Sequence, residues 1–477
     1  MHRSNRTGIV RKRTVGCISI ALLLAVVAAA AVWLGERLEP AVRKCVEAGD
    51  KLYQEGCFDE AKAAYLNALA LAPANTAVLE KLGLISLWEN SAEEAGGYLA
   101  DALRHTPWYR NYWPLNTELK YHLGMVYLRQ DRFGDLARLF REARGPVAAG
   151  PFRDLDAFGR QMALLEDETP YAVEGPEETQ IDFVITDPLP VIEVSVNGSE
   201  PVGFVIDTGG MEVILDDDLA EQVGAQIAGS IVGSYAGQKK TETGLGRVDS
   251  IGMGAFVVRN VPIHVLDTDP FSSALNGLEV KGVIGTRLLM HFLSTVDYPN
   301  GVLVLQRPTS ANQQRMESRL TSVGAKAIPF WLINTHYIVT WGQVNDLDPM
   351  LLFVDTGLAG AAFTAPEDVL ERAGISVDWS KAEEGIGGGG VVEEVDIAIE
   401  RLSLGAGGDE VVGHNLLGKV SEYPPSVLGD TLGFRLGGLI SHQFFRGYAV
   451  TLDFEAMNLI LELPLVRSGT SSTADTS

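Results

Sequence analysis

PLPVIEVSVNGSEPVGFVIDTGG, Pro188–Gly210, is the stretch on which the reading of the fold turns. Val191-Ile192-Glu193-Val194-Ser195-Val196 alternates apolar and polar residues as a half-buried strand does, and Asn197-Gly198 supplies a hairpin turn. Phe204-Val205-Ile206 is then a continuous apolar strand that stops at Asp207-Thr208-Gly209-Gly210. Further on stand GVIGTRLL, Gly282–Leu289, and the strand pair VDYPNGVLVLQ, Val296–Gln306.

The same order recurs. Tyr337–Trp341 and Val344-Asn345 lead to LLFVDTGL, Leu351–Leu358, followed by GGLISHQFF, Gly437–Phe445, and the strands YAVTLDF and LILEL. The chain therefore contains an internal duplication, with one β-rich lobe over 179–308 and a second over 323–463. The polar stretch 309–322 between them reads as a linker, and the Ser/Thr-rich tail 464–477 as disordered.

Two Asp at the ends of rigid strands, brought together by a duplication, suit one kind of chemistry. Carboxylates held about 3 Å apart cannot both ionise, so they share a proton. The ionised member is then a general base for water and the protonated member polarises a carbonyl. Gly lets each chain turn sharply, and Thr offers a hydroxyl that can lock one loop to the other.

With these residues in view, the sequence resembles the retropepsin-like aspartic protease family over about residues 180–463, through PLPVIEVSVNGSEPVGFVIDTGG with GVIGTRLL and LLFVDTGL with GGLISHQFF. The resemblance implies two acid-protease lobes facing one another as an intramolecular pseudo-dimer, with the active site between them. It implies Asp207 and Asp355 as the catalytic pair, Thr208 and Thr356 as the cross-braces, Gly209 and Gly357 as the turn residues, and Gly285 as the glycine packed behind the first loop. It also implies a flap over the cleft in each lobe. The candidates are Tyr235 and Gly237 in lobe 1, and Gly387, Gly388 and Gly389 in lobe 2. A plain hairpin turn is the other reading of those glycines.

Three positions depart from the family pattern. Gly210 and Leu358 follow the two Asp-Thr-Gly triplets where Ala or Ser is usual, so a hydroxyl next to the dyad is missing. That predicts an activity optimum less acidic than in gastric-type enzymes. Ser441 stands where the second motif of lobe 2 has Gly in the family.

The N-terminal part has another character. Residues 1–15 carry five basic residues and no acidic one, and 16–34 are uncharged. Nineteen helical residues span about 28 Å, close to the hydrocarbon thickness. The expectation is a cytoplasmic basic segment, a single-pass anchor in a bacterial inner membrane, and a periplasmic remainder. The alternative is a cleavable signal peptide ending at the Ala28–Ala31 run.

Over 40–148, Gly49, Ala61, Ala68 and Pro73 recur 34 residues later as Gly83, Ala95, Ala102 and Pro107. After an insertion, Gly124, Tyr127, Phe133, Phe140 and Ala143 form a third copy. This resembles a tetratricopeptide array of helix pairs. It could serve as a dock for a peptide or protein partner, or as a spacer between membrane and lobes. Cys45 and Cys57 fall about 12 Å apart along the axis, too far to bond.

Composition removes other classes. With 477 residues, three units are expected. The chain is 46% apolar and 21% charged, so it is not disordered as a whole. A net charge of −24 repels phosphate backbones and argues against nucleic acid as a partner. Three Cys are too few for a disulfide framework. The eight His, among them His264, His291, His336, His414 and His442, have no ligand spacing and read as core or surface residues. There is no Gly-x-Ser-x-Gly elbow. Asp216-Asp217-Asp218 reads as an acidic helix start, not a metal site. The expectation is a membrane-anchored aspartic endopeptidase acting on extended polypeptides, without metal or organic cofactor. The alternative is a catalytically degenerate peptide-binding or adaptor protein.

Overall fold

The computed structural model describes residues 39–106, 114–143, 154–234, 240–275, 277–387, 390–406, 408–422 and 432–463. The basic segment 1–15, the anchor 16–34 and the tail 464–477 lie outside these residues, as do Tyr235, Gly237, Gly388 and Gly389. No helix among the described residues is long and apolar enough to cross a membrane. The described chain is a mixed helix and β structure.

Seven helices come first: α1 (Pro40–Gln54), α2 (Phe58–Leu71), α3 (Thr76–Trp88), α4 (Ala92–His105), α5 (Pro114–Arg129), α6 (Phe133–Glu142) and α7 (Leu155–Ala163). Helices α1 to α6 form three pairs built alike. Gly49, Gly83 and Gly124 each lie under a side chain of the following helix, namely Tyr65, Leu99 and Phe140. A β-carbon on Gly49 would stand 2.6 Å from the Tyr65 ring, and one on Gly83 2.6 Å from Leu99 Cγ. Each pair turns through a residue with positive φ: Gly56 at 80°, Asn90 at 59° and Asp131 at 55°. After each, one N–H reaches back five residues: Cys57 to the Leu52 carbonyl at 2.9 Å, Ser91 to Ser86 at 2.8 Å, and Arg132 to Tyr127 at 2.9 Å. This closes the first helix of each pair by satisfying its last carbonyls. Cys45 and Cys57 are free thiols.

The helical region packs directly on the lobes. Phe434 of lobe 2 sits among Tyr53, Phe58 and Trp88, with ring centroids 5.9, 5.0 and 5.6 Å away. Val339, Leu351 and Phe353 belong to the same buried cluster. All three helix-pair turns face the lobes. Gly56 abuts Leu351, the Asn90 amide donates to the Phe454 carbonyl at 2.8 Å, and Asp131 pairs with Arg287 at 2.7 Å.

In lobe 1 the strand Val202–Ile206 runs parallel to Gly282–Ile284, which is antiparallel to Val213–Leu215. In lobe 2 Met350–Val354 runs parallel to Gly438–Ile440, which is antiparallel to Phe363–Thr364. The two lobes thus repeat one topology. The lobe 1 sheet begins before Thr179, because Ala172–Glu174 pairs with Phe256–Val265. A six-stranded sheet joins the lobes, with Leu293–Asp297 of lobe 1 antiparallel to Ala449–Asp453 of lobe 2.

The connecting stretch read as a polar linker is a helix, Ser310–Val323. The Thr309 hydroxyl caps it by accepting from the Asn312 N–H at 3.3 Å, and Gly324 ends it at φ 68°. Its Met316 is buried with Leu293 and Ile460.

Candidate active site

The strands Val202–Ile206 and Met350–Val354 are apolar and buried, so they fix the residues that end them. Asp207 donates its N–H to the Ile284 carbonyl at 3.1 Å, and Asp355 donates to Ile440 at 3.0 Å. Each aspartate is therefore held by the second motif of its own lobe.

The structure brings the two Asp-Thr-Gly loops together. The Thr208 N–H donates to the Thr356 hydroxyl at 3.0 Å, and the Thr356 N–H to the Thr208 hydroxyl at 3.0 Å. Each hydroxyl donates onward across the interface, Thr208 to the Val354 carbonyl at 3.0 Å and Thr356 to Ile206 at 3.1 Å. All of these groups are buried, and all are paired.

The Gly209 N–H donates to Asp207 Oδ1 at 2.7 Å, and the Gly357 N–H to Asp355 Oδ1 at 2.8 Å. A β-carbon on Gly209 would collide with the Asp355 carboxyl, and one on Gly357 with that of Asp207. Glycine is required at both places because the opposite aspartate occupies the space.

The two carboxyls thus lie close enough for each to act on the other's ionisation. Burial raises the pKa of both. Asp355 is raised further because the charge of Asp207 adds to burial. Such a pair titrates as a unit and holds one proton over an extended pH range.

Behind the loops, the Thr286 hydroxyl donates to the Thr208 carbonyl at 2.8 Å. Gly285 packs against the backbone of Met211 and Glu212 with no room for a β-carbon. In lobe 2, Ser441 is fully buried with extended backbone. Its hydroxyl donates to the Asp355 carbonyl and lies 3.3 Å from that of Leu358. Ser441 thus ties the second loop one residue earlier in its triplet than Thr286 ties the first. Leu358 packs partly buried against the cluster that contains Phe353.

Several residues around the site were not singled out by the sequence. His336, read there as core or surface, is buried and places Nε2 3.0 Å from the Gly209 carbonyl of the other lobe. A carbonyl can only accept, so Nε2 carries the proton and Nδ1 accepts from the Thr335 hydroxyl at 2.7 Å. Burial pushes this imidazole down to about 3, so it is neutral. Burial, helped by Asp355, pushes the neighbouring Tyr337 up to about 12. Glu212 accepts from the Tyr171 hydroxyl and lies 3.9 Å from Arg287. Burial raises it to about 7 against the opposing pull of Arg287. The readable signal was an arginine and a glutamate inside otherwise apolar motifs.

The candidate flap stems are hairpins: Gln226–Ser234 with Lys240–Met253, and Glu383–Gly387 with Gly390–Leu404. Gly387 is the last described residue before the second tip and pairs with Gly390. The Glu383–Gly387 strand of lobe 2 lies beside the helix Asp269–Ala274 of lobe 1, so this hairpin crosses between lobes. Asp216 precedes the helix Asp217–Gln222. It is tied to Lys281 at 3.0 Å and to the Thr268 N–H and hydroxyl at 3.1 and 2.9 Å.

No curated protein matches the chain. Among solved structures, a retropepsin-like aspartic protease from Rickettsia conorii is similar over 28% of this chain and 93% of its own, at 20% identity and a TM-score of 0.20. Residues 192–288, which carry Asp207 and Gly285, match the family model described as aspartyl protease.

Proposed function

We propose that the chain is an aspartic endopeptidase that hydrolyses peptide bonds with Asp207 and Asp355. The observation that carries this reading is the pair of repeated Asp-Thr-Gly loops, locked by reciprocal threonine bonds, each of which sets its glycine against the other's buried carboxyl. The ionised carboxyl takes a proton from water as its oxygen attacks the scissile carbonyl carbon, and the protonated carboxyl donates to the carbonyl oxygen. A proton then passes to the amide nitrogen and the C–N bond breaks. The substrate is an extended polypeptide that pairs with the backbone of the two hairpins. The residues fill each role without a metal or organic cofactor.

The same reading places residues 16–34 as the anchor in a bacterial inner membrane and the lobes on the periplasmic side, from the basic flank and the uncharged run. The 34-residue register of the helix pairs supports a tetratricopeptide-like array. Any partner protein on it would use the faces that the lobes leave free.

The test is cleavage of an unfolded mixed-protein substrate by the full chain in detergent, across pH 3 to 8. Asp207→Asn and Asp355→Asn should each lower kcat/KM by about a thousandfold or more. Cleavage unchanged in either variant overturns the reading. A folded wild type that binds peptides without cutting them supports the peptide-binding alternative. The absent hydroxyls at Gly210 and Leu358 support an optimum less acidic than in gastric-type enzymes, and Asp-dependent cleavage with an optimum below about pH 4 would overturn that part.

A further inference from the structure

The turn between α5 and α6 reaches both lobes at once. Arg129 donates through Nη2 to the carbonyls of Leu332 and Asn334 in lobe 2, at 3.4 and 3.2 Å. Asp131, two residues on, accepts from Arg287 Nη2 of lobe 1 at 2.7 Å, and the same nitrogen donates to the Leu128 carbonyl at 2.9 Å. Arg287 is 1% exposed, so this ion pair is the main compensation for a buried charge.

Both contacts lead to one loop. Leu332 and Asn334 belong to the turn that presents His336, whose Nε2–H binds the Gly209 carbonyl. Arg287 follows Thr286, whose hydroxyl binds the Thr208 carbonyl. The two consecutive carbonyls after Asp207 are thus held by Thr286 of lobe 1 and His336 of lobe 2, and the segments that carry these two holders are bonded to the same helical turn.

We propose that the turn Leu128–Arg132 is an intramolecular clamp that sets the lobe 1 loop against the lobe 2 loop, with Arg129 and Asp131 as positioning residues. This rests on the endopeptidase reading of the site. The helical region is then a working part of the enzyme, neither a detachable dock nor a spacer. Asp131 is surrounded by the charged and titratable groups Arg129, Arg287, Glu212, Tyr171 and His291. Removing its charge leaves Arg287 facing Glu212 alone.

The test uses Asp131→Asn and Arg129→Lys in the full chain, with Arg138→Gln on the exposed face of α6 as control. The clamp predicts that kcat falls about 10- to 100-fold with KM little changed, and that the limbs of the pH–rate profile move. Asp131→Glu should recover part of kcat. A kcat and a pH profile equal to wild type in folded variants overturn the clamp, even where Tm falls. Should Asp131→Asn not fold, Arg129→Lys decides, since it removes no charge. A second readout needs no catalysis: the pH dependence of Tm in the Asp355→Asn background compared with its parent. If wild type cleaves nothing yet Arg129→Lys shifts this dependence, the clamp stands and the endopeptidase reading falls. If it shifts neither, the clamp falls.

Discussion

Thr208 and Thr356 lie 148 residues apart and exchange hydrogen bonds in both directions, each N–H donating to the other's hydroxyl at 3.0 Å. The duplication thus closes on itself at these two side chains, and the aspartates one residue earlier are placed by that closure.

The brace should be sensitive to its hydroxyls and tolerant of the loss of a methyl. Thr208→Val leaves the Thr356 N–H without its acceptor in a buried site and takes one hydrogen bond from the Val354 carbonyl, at a cost of about 1–3 kcal/mol. Thr208→Ser keeps both bonds and should cost about 1 kcal/mol or less. Urea unfolding of the two variants separates them, and equal losses would count against the brace.

The dyad predicts a pH-dependent stability of definite sign. Asp355 has a folded pKa raised above its unfolded value, first by burial and then by Asp207. Its favourable contribution is present below the unfolded carboxylate pKa, about 3.9, and is lost as pH rises through the folded value. Asp355→Asn does not titrate. Its Tm should therefore exceed that of wild type at pH 7, with the advantage fading toward pH 3. A difference independent of pH would contradict the shared proton.

Ser441→Gly restores the residue that the family pattern has, yet it should destabilise. The hydroxyl that ties the Asp355 and Leu358 carbonyls is lost, and glycine adds freedom to the unfolded chain. We expect a loss of about 1–2 kcal/mol in thermal unfolding. An unchanged Tm would show the tie to be idle.

Phe434→Ala empties the aromatic box formed by Tyr53, Phe58 and Trp88. The expected loss is about 3–5 kcal/mol. Limited proteolysis should then cut first between the helical pairs and lobe 2. Wild-type resistance would mean that the other contacts hold α1 to α3 in place.

What could be read from the sequence was local. Asp207, Thr208 and Gly209 with their later copies are adjacent residues after apolar strands, and the first two helix pairs repeat at a 34-residue register. The Thr309 cap and the Gly324 stop were also readable, but the polar composition of 309–322 masked a helix that buries one face through Met316. The rest depended on contacts between distant segments. Arg287 finds Asp131 across 156 residues, and His336 finds Gly209 across 127. No spacing rule encodes such meetings, because they arise only when the helical turns seat on the lobes.

The sheet that joins the lobes constrains how the chain can be made. Leu293–Asp297 has its partner in Ala449–Asp453, and the next strand, Asn458–Glu462, pairs with the edge strand Lys326–Pro329. A ribosome releases those last strands only when nearly the whole chain has been synthesised. Until then lobe 1 carries an open strand edge, a site at which nascent chains aggregate. The same order means that a half-made polypeptide cannot present a finished pair of Asp-Thr-Gly loops, so the site is assembled only when synthesis of the lobes is complete.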